Sequence, residues 1–348
     1  MSIRGGYDSF EIDCMIPFKY NRTRIANADN VDIFETADRY KTGRIEAVII
    51  CKYFGSQSEL KKLVRQFKFN GIEKIGVLFA FMDRANFSWL DSEKFFLPYL
   101  EVNAIDGCNL NCKGCSHFSP LFGIDEVYQL ENLKRDMRHL SRHCDVSTIR
   151  IVGGEPFLLK NLDEYLRTIK KYFPQSLIRV LSNGLLIPTV PRKVFEYISQ
   201  EKISIEISEY PPTTKIKSKL VDIFKTHDIP FLFSEPVQTF RTLLRLEPGL
   251  SNPETAMRVC PCSFSRYIRD GRLYKCPIDA LHPRFNEKFP NAMKLPKNAA
   301  SIDIFDPNFT ELIDLLDEPV EMCGYCPEKP TQFDWTIDHN PSADNWRV

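Results

Sequence analysis

The segment EVNAIDGCNLNCKGCSHFSP, residues 101–120, joins an apolar strand-like run to a loop that holds three cysteines. Cys108, Cys112 and Cys115 are separated by three residues and then by two, and no fourth cysteine is close in sequence. A zinc ion with His117 as its fourth ligand would match this count. A cubane iron-sulfur cluster would match it too, because three cysteines can leave its fourth iron open to a non-protein ligand. Structural zinc sites usually take their ligands from two separated pairs, so the single tight loop favours the cluster.

The chain after this loop repeats a short apolar strand followed by an amphipathic helix. Predicted strands begin at residues 101, 148, 177, 203 and 230, and the last four starts are 29, 26 and 27 residues apart. That interval is long enough for a helix to cross back to a parallel neighbouring strand. The pattern predicts an α/β fold, either an open doubly wound sheet or a full or partial barrel.

Unusual residues follow the carboxyl ends of these predicted strands. They lie in the cysteine loop and in Gly153–Pro156, Ser182–Gly184, Ser208–Tyr210 and Ser234–Pro236. Parallel βα architectures gather such ends on one face, so these loops are expected to surround one cavity. In any single loop, glycine and proline could simply be turn residues. Five such loops in series favour an enzyme.

The regions on either side of the strand-helix repeat predict separate domains. Residues 1–98 predict a small Rossmann-like α/β domain, and they hold no GxGxxG motif for a dinucleotide. Residues 99–247 hold the repeat itself. In residues 248–348 proline and asparagine increase, the strand-helix rhythm stops and a second cysteine group begins. The sequence therefore predicts three domains.

Composition excludes some functions and favours a cytoplasmic, globular protein. The chain has 348 residues, 43% of them hydrophobic, and its 46 basic residues balance 46 acidic ones. No overall field would attract nucleic acid or an anionic membrane, so both are unlikely partners. The amino terminus lacks a basic segment followed by an apolar one, and the aliphatic runs are too short to span a bilayer.

The cysteine count points to metal ligands and not to disulfides. Eleven cysteines are an odd number, and eight of them fall into two groups. Cys14, Cys51 and Cys144 are isolated, and we expect them to be small buried apolar residues. Cys144 also continues the apolar face of a helix predicted from residue 130 onward.

The spacing of Cys108, Cys112 and Cys115, with GGEP after the second strand and SNG later, resembles the radical S-adenosylmethionine (SAM) enzymes. The resemblance covers roughly residues 101–236 and implies a partial (βα)6 TIM-like barrel. It implies that a [4Fe-4S] cluster on these three cysteines leaves one iron for SAM, which is cleaved to a 5′-deoxyadenosyl radical that abstracts hydrogen from a substrate. The implied SAM-binding residues are Gly153, Gly154, Glu155, Ser182 and Asn183, with Ser208 and Glu209 as weaker candidates.

Two residues of the cysteine loop need comment. The position before the third cysteine is often aromatic in that family and stacks near the adenine, but here it is Gly114. Phe118 or another residue would then have to supply the contact. His117 could be a proton shuttle beside the cluster, although a capping or packing role is the simpler interpretation.

The second cysteine group resembles the shortened SPASM extension called twitch. Residues 269–272 (RDGR) form a hairpin signal between two aromatic-bearing runs with cysteines on either side. In the resemblance, a hairpin cysteine and a later CxxC hold one auxiliary [4Fe-4S] cluster, and the spacing to Gly271 favours Cys260 over Cys262. The implied ligands are Cys260, Cys276, Cys323 and Cys326, with Cys262 as the alternative to Cys260. A zinc ribbon is the other interpretation of this group.

The resemblance leaves the substrate open. Oxidation or epimerisation of a sugar, nucleotide-sugar or aminocyclitol is the favoured reaction, with Cys262 as a candidate hydrogen-atom donor. Arg241 and Arg245 could bind a phosphate or carboxylate at the mouth of the cavity, or could be ordinary surface charges. A peptide-modifying maturase and a non-catalytic iron-sulfur protein are the alternatives. A flavodoxin or ferredoxin is the expected electron donor.

Overall fold

The computed structural model describes residues 23–27, 37–39, 41–43, 47–53, 57–81, 84–91, 93–245, 251–263, 265–292 and 295–347. Cys14 and the side chain of Cys51 lie outside this description. The chain forms two compact units. One comprises Met1–Tyr99, Leu140–Thr148 and Phe173–Leu177, and the other comprises Leu100–His139, Ile149–Tyr172 and Ile178–Val348. The predicted boundary near residue 247 stays a prediction.

The first unit contains a four-stranded sheet in the order β1-β2-β3-β4. Its strands are β1 Thr23–Asn27, β2 Ala47–Tyr53, β3 Ile75–Phe81 and β4 Arg84–Trp89, and helix α1 spans Gln57–Phe69. The first three strands are parallel, and β4 is antiparallel to β3. Gly71 adopts a left-handed φ of 82° just after α1, which is the conformation in which glycine commonly ends a helix.

A larger eight-stranded sheet has the order β13 (Ser301–Asp303), β12 (Arg272–Tyr274), β11 (Tyr267–Arg269), β5, β6, β7, β8 and β9. Its central strands are β5 Phe95–Ile105, β6 Cys144–Gly153, β7 Leu177–Ser182, β8 Ser204–Ile207 and β9 Phe231–Phe233. Strands β7, β8 and β9 are parallel, and β11 pairs parallel with β5. Among the strands that the structure describes, the order ends at β13 and β9, so this sheet is open and not a closed barrel. The predicted α/β class with a partial barrel core is confirmed.

Eight further helices and five short strands follow along the described parts of the chain. The helices are α2 Leu130–His143, α3 Leu162–Tyr172, α4 Arg192–Gln200, α5 Pro211–Thr214, α6 Lys217–Thr226, α7 Pro253–Val259, α8 Pro277–Lys288 and α9 Phe309–Leu312. The remaining strands are β10 Thr239–Arg241, β11 Tyr267–Arg269, β12 Arg272–Tyr274, β13 Ser301–Asp303 and β14 Gln332–Asp334. Strands β10 and β14 form a separate antiparallel pair.

The apolar periodicity predicted strands β5 to β9 and the helices between them, but one helix end was wrong. Helix α2 ends at His143, and Cys144 is the first residue of β6 and not a further turn of the helix. Cys144 is nevertheless 1% exposed, as expected for an isolated buried cysteine. A buried position fits either element, and for this reason periodicity alone did not separate them.

Four charged residues lie on neighbouring strands of the eight-stranded sheet. Glu101, Arg150, Arg179 and Glu206 lie on the consecutive strands β5, β6, β7 and β8. Glu101, Arg179 and Glu206 are buried, and Arg150 is partly buried. Arg150 is 3.9 Å from Glu101 and also pairs with Glu206. The two arginines lie between the two glutamates, close enough for the opposite charges to compensate each other, which is what makes their burial tolerable. Among the described residues no helix is both long and apolar enough to cross a membrane.

Candidate active site

The three cysteines of the loop after β5 line one cavity of about 420 Å³. The same cavity reaches the carboxyl ends of β6 and β7 and the loop after β8. The structure therefore brings together loops that are separated by up to a hundred residues, as the parallel repeat predicted.

A close backbone approach joins the end of β6 to the cysteine loop. The amide of Gly154 donates to the carbonyl of Ile105 over 2.7 Å, and the amide of Glu155 donates to the carbonyl of Gly107 over 3.1 Å. A Cβ on Gly153 or Gly154 would lie 2.0 Å from a backbone oxygen of Ile105 or Gly107, respectively. The glycines of GGEP are thus required to seat the cysteine loop on the sheet.

The carboxyl-terminal residues 331–347 cover the other side of the loop. The indole Nε1 of Trp335 donates to the sulfur of Cys112 over 3.3 Å, and that of Trp346 donates to the carbonyl of Cys115 over 2.8 Å. The amide of Lys113 donates to the carbonyl of Thr336 over 2.9 Å. Sequence reasoning missed these contacts, because no local pattern connects residues more than 200 positions apart.

Burial favours the protonated form of two thiols of the loop, Cys108 and Cys112. Burial raises the pKa of the Cys108 thiol far above its usual range, and it raises the pKa of Cys112 to about 12. Iron ligation would replace those protons, since the thiolate is the form that binds metal. Within the described ranges, no three His, Cys, Asp or Glu side chains converge on a single-ion site. A cubane binds each thiolate on a different iron, so three cavity-lining thiols fit its donor set.

Five of the residues expected to contact SAM line the cavity. They are Gly153, Gly154, Ser182, Asn183 and Ser208. The side-chain amide of Asn183 donates to Asn109 Oδ1 over 2.7 Å, which places it directly against the cysteine loop. Ser182 and Asn183 follow β7, and Ser208 follows β8, where the amide of Ser208 donates to the carbonyl of Ser182 over 2.9 Å.

The two carboxylates proposed for SAM have partners elsewhere. Glu155 is fully buried, and its carboxylate accepts from Ser182 Oγ over 2.9 Å and from the amide of Asn183 over 2.8 Å. Burial raises its pKa to about 7. Glu209 pairs with Lys217 over 2.6 Å. Neither side chain is in the cavity wall, so any role of theirs toward SAM would act through the backbone or through neighbours.

Phe118, one candidate for the aromatic contact near the adenine, does not line the cavity. Phe118 is fully buried in the core, with its ring 5.8 Å from that of Phe285 and 5.5 Å from that of Trp346. Gly114 has a left-handed φ of 69°, and a Cβ there would lie 2.7 Å from the ring of Phe333. Phe333 therefore occupies the space that an aromatic residue at position 114 would need.

The second cysteine group forms its own small pocket of about 20 Å³. Its wall contains five cysteines, namely Cys260, Cys262, Cys276, Cys323 and Cys326. The predicted hairpin is present, since β11 and β12 pair antiparallel around Asp270 and Gly271, both with positive φ. Cys260, Cys262 and Cys326 also line the larger cavity. One wall of the larger cavity is thus shared with the small pocket.

Cys260 and Cys262 are adjacent within this pocket. The amide of Cys262 donates to the sulfur of Cys260 over 3.4 Å. A hydrogen bond from the Cys262 thiol lowers the pKa of Cys260 to about 7, whereas that same bond and burial raise the pKa of Cys262. Lys275, 2% exposed, also lines the pocket and donates to the carbonyl of Leu316 over 2.7 Å. Its positive charge would offset thiolate charge on a bound metal centre.

His117 lines the larger cavity with a neutral ring. Burial, with Arg150 nearby, lowers its pKa to about 4. Its Nε2 is buried without a hydrogen-bond partner, while Nδ1 lies 3.4 Å from Ser116 Oγ. Such a nitrogen can accept a hydrogen bond or a proton from a bound molecule.

Arg241 is the sole Lys, Arg, Asp or Glu among the described residues that line the cavity. Its Nη2 donates to the carbonyl of Val259 over 3.3 Å. Arg245, four residues later, is not part of the cavity wall. The sequence offered both arginines as candidates for the same role, but in the structure only Arg241 of the two lines the cavity.

Residues 102–225 match the radical SAM superfamily. The GTP 3′,8-cyclase of Helicobacter pylori (strain HPAG1) is 27% identical over 133 residues, which cover 37% of this chain and 41% of that protein. The GTP 3′,8-cyclase of Pelotomaculum thermopropionicum (strain DSM 13744 / JCM 10971 / SI) is 31% identical over 95 residues, covering 27% of this chain and 29% of that protein. The chain spans about two fifths of the length of the first of these relatives.

Two solved structures show a distant likeness. Native anSMEcpe with bound AdoMet is 15% identical with a TM-score of 0.42, and the alignment covers 66% of this chain and 89% of that one. BtrN in complex with AdoMet and 2-DOIA is 16% identical with a TM-score of 0.40, covering 67% of this chain and 94% of that one.

Proposed function

We propose that this chain is an enzyme that reductively cleaves SAM and abstracts hydrogen from a substrate, because residues 102–225 match the radical SAM superfamily. The observation that carries the proposal is the shared cavity, in which Cys108, Cys112 and Cys115 face the glycine, serine and asparagine residues at the ends of β6 and β7. A [4Fe-4S] cluster on the three cysteines would supply the electron for cleavage. The residues of the chain bind SAM, orient it and exclude water.

The second cysteine group holds an auxiliary [4Fe-4S] cluster of the twitch type in this proposal. Four of the five cysteines in the small pocket would be its ligands, and buried Lys275 would compensate their charge. The donor set supports the proposal, because a [4Fe-4S] cluster is held by four cysteine thiolates and this pocket contains five cysteines. Such a fully ligated cluster has no site for substrate, so electron transfer is its role.

The reaction is oxidation or epimerisation of a sugar, nucleotide-sugar or aminocyclitol in this proposal. The cavity extends from the first cysteine group to Cys260, Cys262 and Cys326 of the second, which would let a substrate radical lie between an electron donor and an electron acceptor. Arg241 would bind a phosphate or carboxylate of the substrate. A cytoplasmic location and a flavodoxin or ferredoxin donor stay predictions.

Anaerobic reconstitution tests the proposed enzyme. We expect about eight irons per chain and, after reduction with dithionite, formation of 5′-deoxyadenosine from SAM. Nucleotide-sugars, aminocyclitols, GTP and short peptides are then compared as substrates by their effect on the rate of SAM cleavage. Stimulation by a peptide alone would favour a maturase. A protein that holds iron and yields no 5′-deoxyadenosine with any reductant would be a non-catalytic iron-sulfur protein.

Alanine substitutions at Cys260 and Cys262 form a matched pair two residues apart. We expect Cys260→Ala to lower the iron content by about four atoms per chain and Cys262→Ala to leave it near the wild-type value. Iron and sulfide analysis of both reconstituted variants measures this. The reverse pattern would make Cys262 the ligand and would exclude it as a hydrogen-atom donor. If Cys262→Ala keeps its iron, the reaction is then run in D2O. A product of this variant that no longer incorporates deuterium would identify Cys262 as the hydrogen-atom donor.

A further inference from the structure

We infer that Trp335 is a positioning residue that sets the reduction potential of the cluster on the cysteine loop through a hydrogen bond to the Cys112 sulfur. The inference rests on the proposed function, because it requires a cluster at this loop. Its basis is the 3.3 Å distance between the indole Nε1 and the Cys112 sulfur. The Cys108 sulfur accepts from the amide of Leu110 over 3.4 Å and from the side-chain amide of Asn183 over 3.7 Å. Among the described residues, Trp335 therefore makes the shortest side-chain hydrogen bond to a cysteine sulfur of this loop.

Backbone hydrogen bonds hold this indole in place from both sides. The amide of Trp335 donates to the carbonyl of Gln238 over 2.9 Å. The carbonyl of the next residue, Thr336, accepts from the amide of Lys113 on the cysteine loop over 2.9 Å. An isolated bridge also pairs Cys112 with Ile337. Backbone hydrogen bonds therefore join the segment that carries the sulfur to the segment that carries its donor, directly beside the Trp335–Cys112 contact.

A stacked aromatic ring fixes the rotation of the indole. The rings of Trp335 and Tyr210 have centroids 5.4 Å apart and an interplanar angle of 22°. Tyr210 follows β8 and lines the cavity. Stacking restricts the side chain without using its N–H group, so the single donor of tryptophan is left to the sulfur.

The direction of the effect follows from charge. A reduced cluster carries one more negative charge than an oxidised one, and part of that charge lies on the thiolate sulfurs. An N–H donor aimed at a thiolate stabilises the more negative state, and hydrogen bonds to sulfur are among the factors that set such potentials. Trp335 should therefore make the cluster easier to reduce.

The test compares Trp335→Phe with Trp346→Phe in the reconstituted, full-length protein. Phenylalanine keeps an aromatic ring beside Tyr210 but has no N–H group. Trp346 donates to the carbonyl of Cys115 and not to a sulfur, so it is the matched control on the same loop. The reduced cluster is followed by electron paramagnetic resonance during an anaerobic redox titration, and its assignment to this loop is checked by the change in signal when SAM is added.

At the wild-type midpoint, we expect the ratio of reduced to oxidised cluster in Trp335→Phe to fall about tenfold, which corresponds to a shift of about 59 mV toward negative potential. Trp346→Phe should show no comparable shift. An unchanged midpoint in Trp335→Phe, or equal shifts in both variants, would overturn the inference.

A variant that loses its iron is also informative. If Trp335→Phe fails to hold the cluster, Trp335→His restores a ring nitrogen that can donate, and retention of iron with an intermediate potential would support the hydrogen bond. Loss of iron in both variants would show that the tryptophan acts by packing alone. A wild-type protein without any SAM-responsive cluster signal would instead overturn the proposed function, and the two failures are therefore distinguishable.

Discussion

Cys112→Ala is expected to abolish 5′-deoxyadenosine formation and to lower the iron content from about eight to about four atoms per chain. Cys112 is 6% exposed and lies in the middle of the loop, where its sulfur accepts from Trp335 and its backbone pairs with Ile337. Two remaining thiols on one loop cannot hold a cubane that needs three protein ligands. Iron analysis and chromatography of the reaction products measure both effects.

The control for this variant is Cys144→Ala. Cys144 is a buried cysteine, 1% exposed, and is not among the residues that line the cavity, so its substitution removes the same atoms without changing the cavity wall. We expect it to keep its iron and its 5′-deoxyadenosine yield, with at most a small loss of stability from the missing sulfur. Full SAM cleavage by Cys112→Ala would remove the cysteine loop from the proposed mechanism.

Gly154→Ala is expected to lower the free energy of unfolding by about 3 kcal/mol and to prevent the cysteine loop from holding its cluster. The new Cβ would lie 2.0 Å from the carbonyl oxygen of Gly107 and 2.6 Å from that of Asp106. Both contacts are with backbone, which cannot rotate away as a flexible side chain can. The loop must then move off the sheet edge, and its three thiols lose their common placement.

Chemical denaturation and iron analysis check this prediction against Gly324→Ala. A Cβ on Gly324 would have its nearest neighbour at 3.8 Å, which is ordinary van der Waals contact. That variant should unfold near the wild-type midpoint and should retain the iron of the cysteine loop. A stable Gly154→Ala protein with a full complement of iron would show that the contact between β6 and the loop is not needed to seat the cluster.

The fold could be predicted from the sequence because its signal is local. Strand starts at regular intervals and one-sided apolar helices such as residues 161–173 follow from backbone geometry and burial alone. The same reasoning located the cysteine loop, GGEP and SNG at strand ends, where parallel topology gathers them. Leu162, Leu166 and Ile169 are indeed fully buried along α3. The helix end at His143 was missed because a buried cysteine fits a strand as well as a helix.

The site was predicted less completely, since its details depend on residues that are distant in sequence. The sequence around Gly114 does not predict that Phe333 fills the space beside it. The sequence around Glu155 does not predict that its carboxylate accepts hydrogen bonds from Ser182 and Asn183. The separation of Arg241 from Arg245 likewise depends on where the cavity lies.

The sequence by itself thus determined the α/β repeat, the positions of both cysteine groups and the loops that meet at one face. Tertiary structure alone decided which of those side chains enter the cavity and what surrounds each sulfur. The physical reason is that periodicity encodes burial one element at a time, whereas a hydrogen bond such as that from Trp335 to Cys112 exists only once the carboxyl-terminal segment has packed onto a loop more than 200 residues before it.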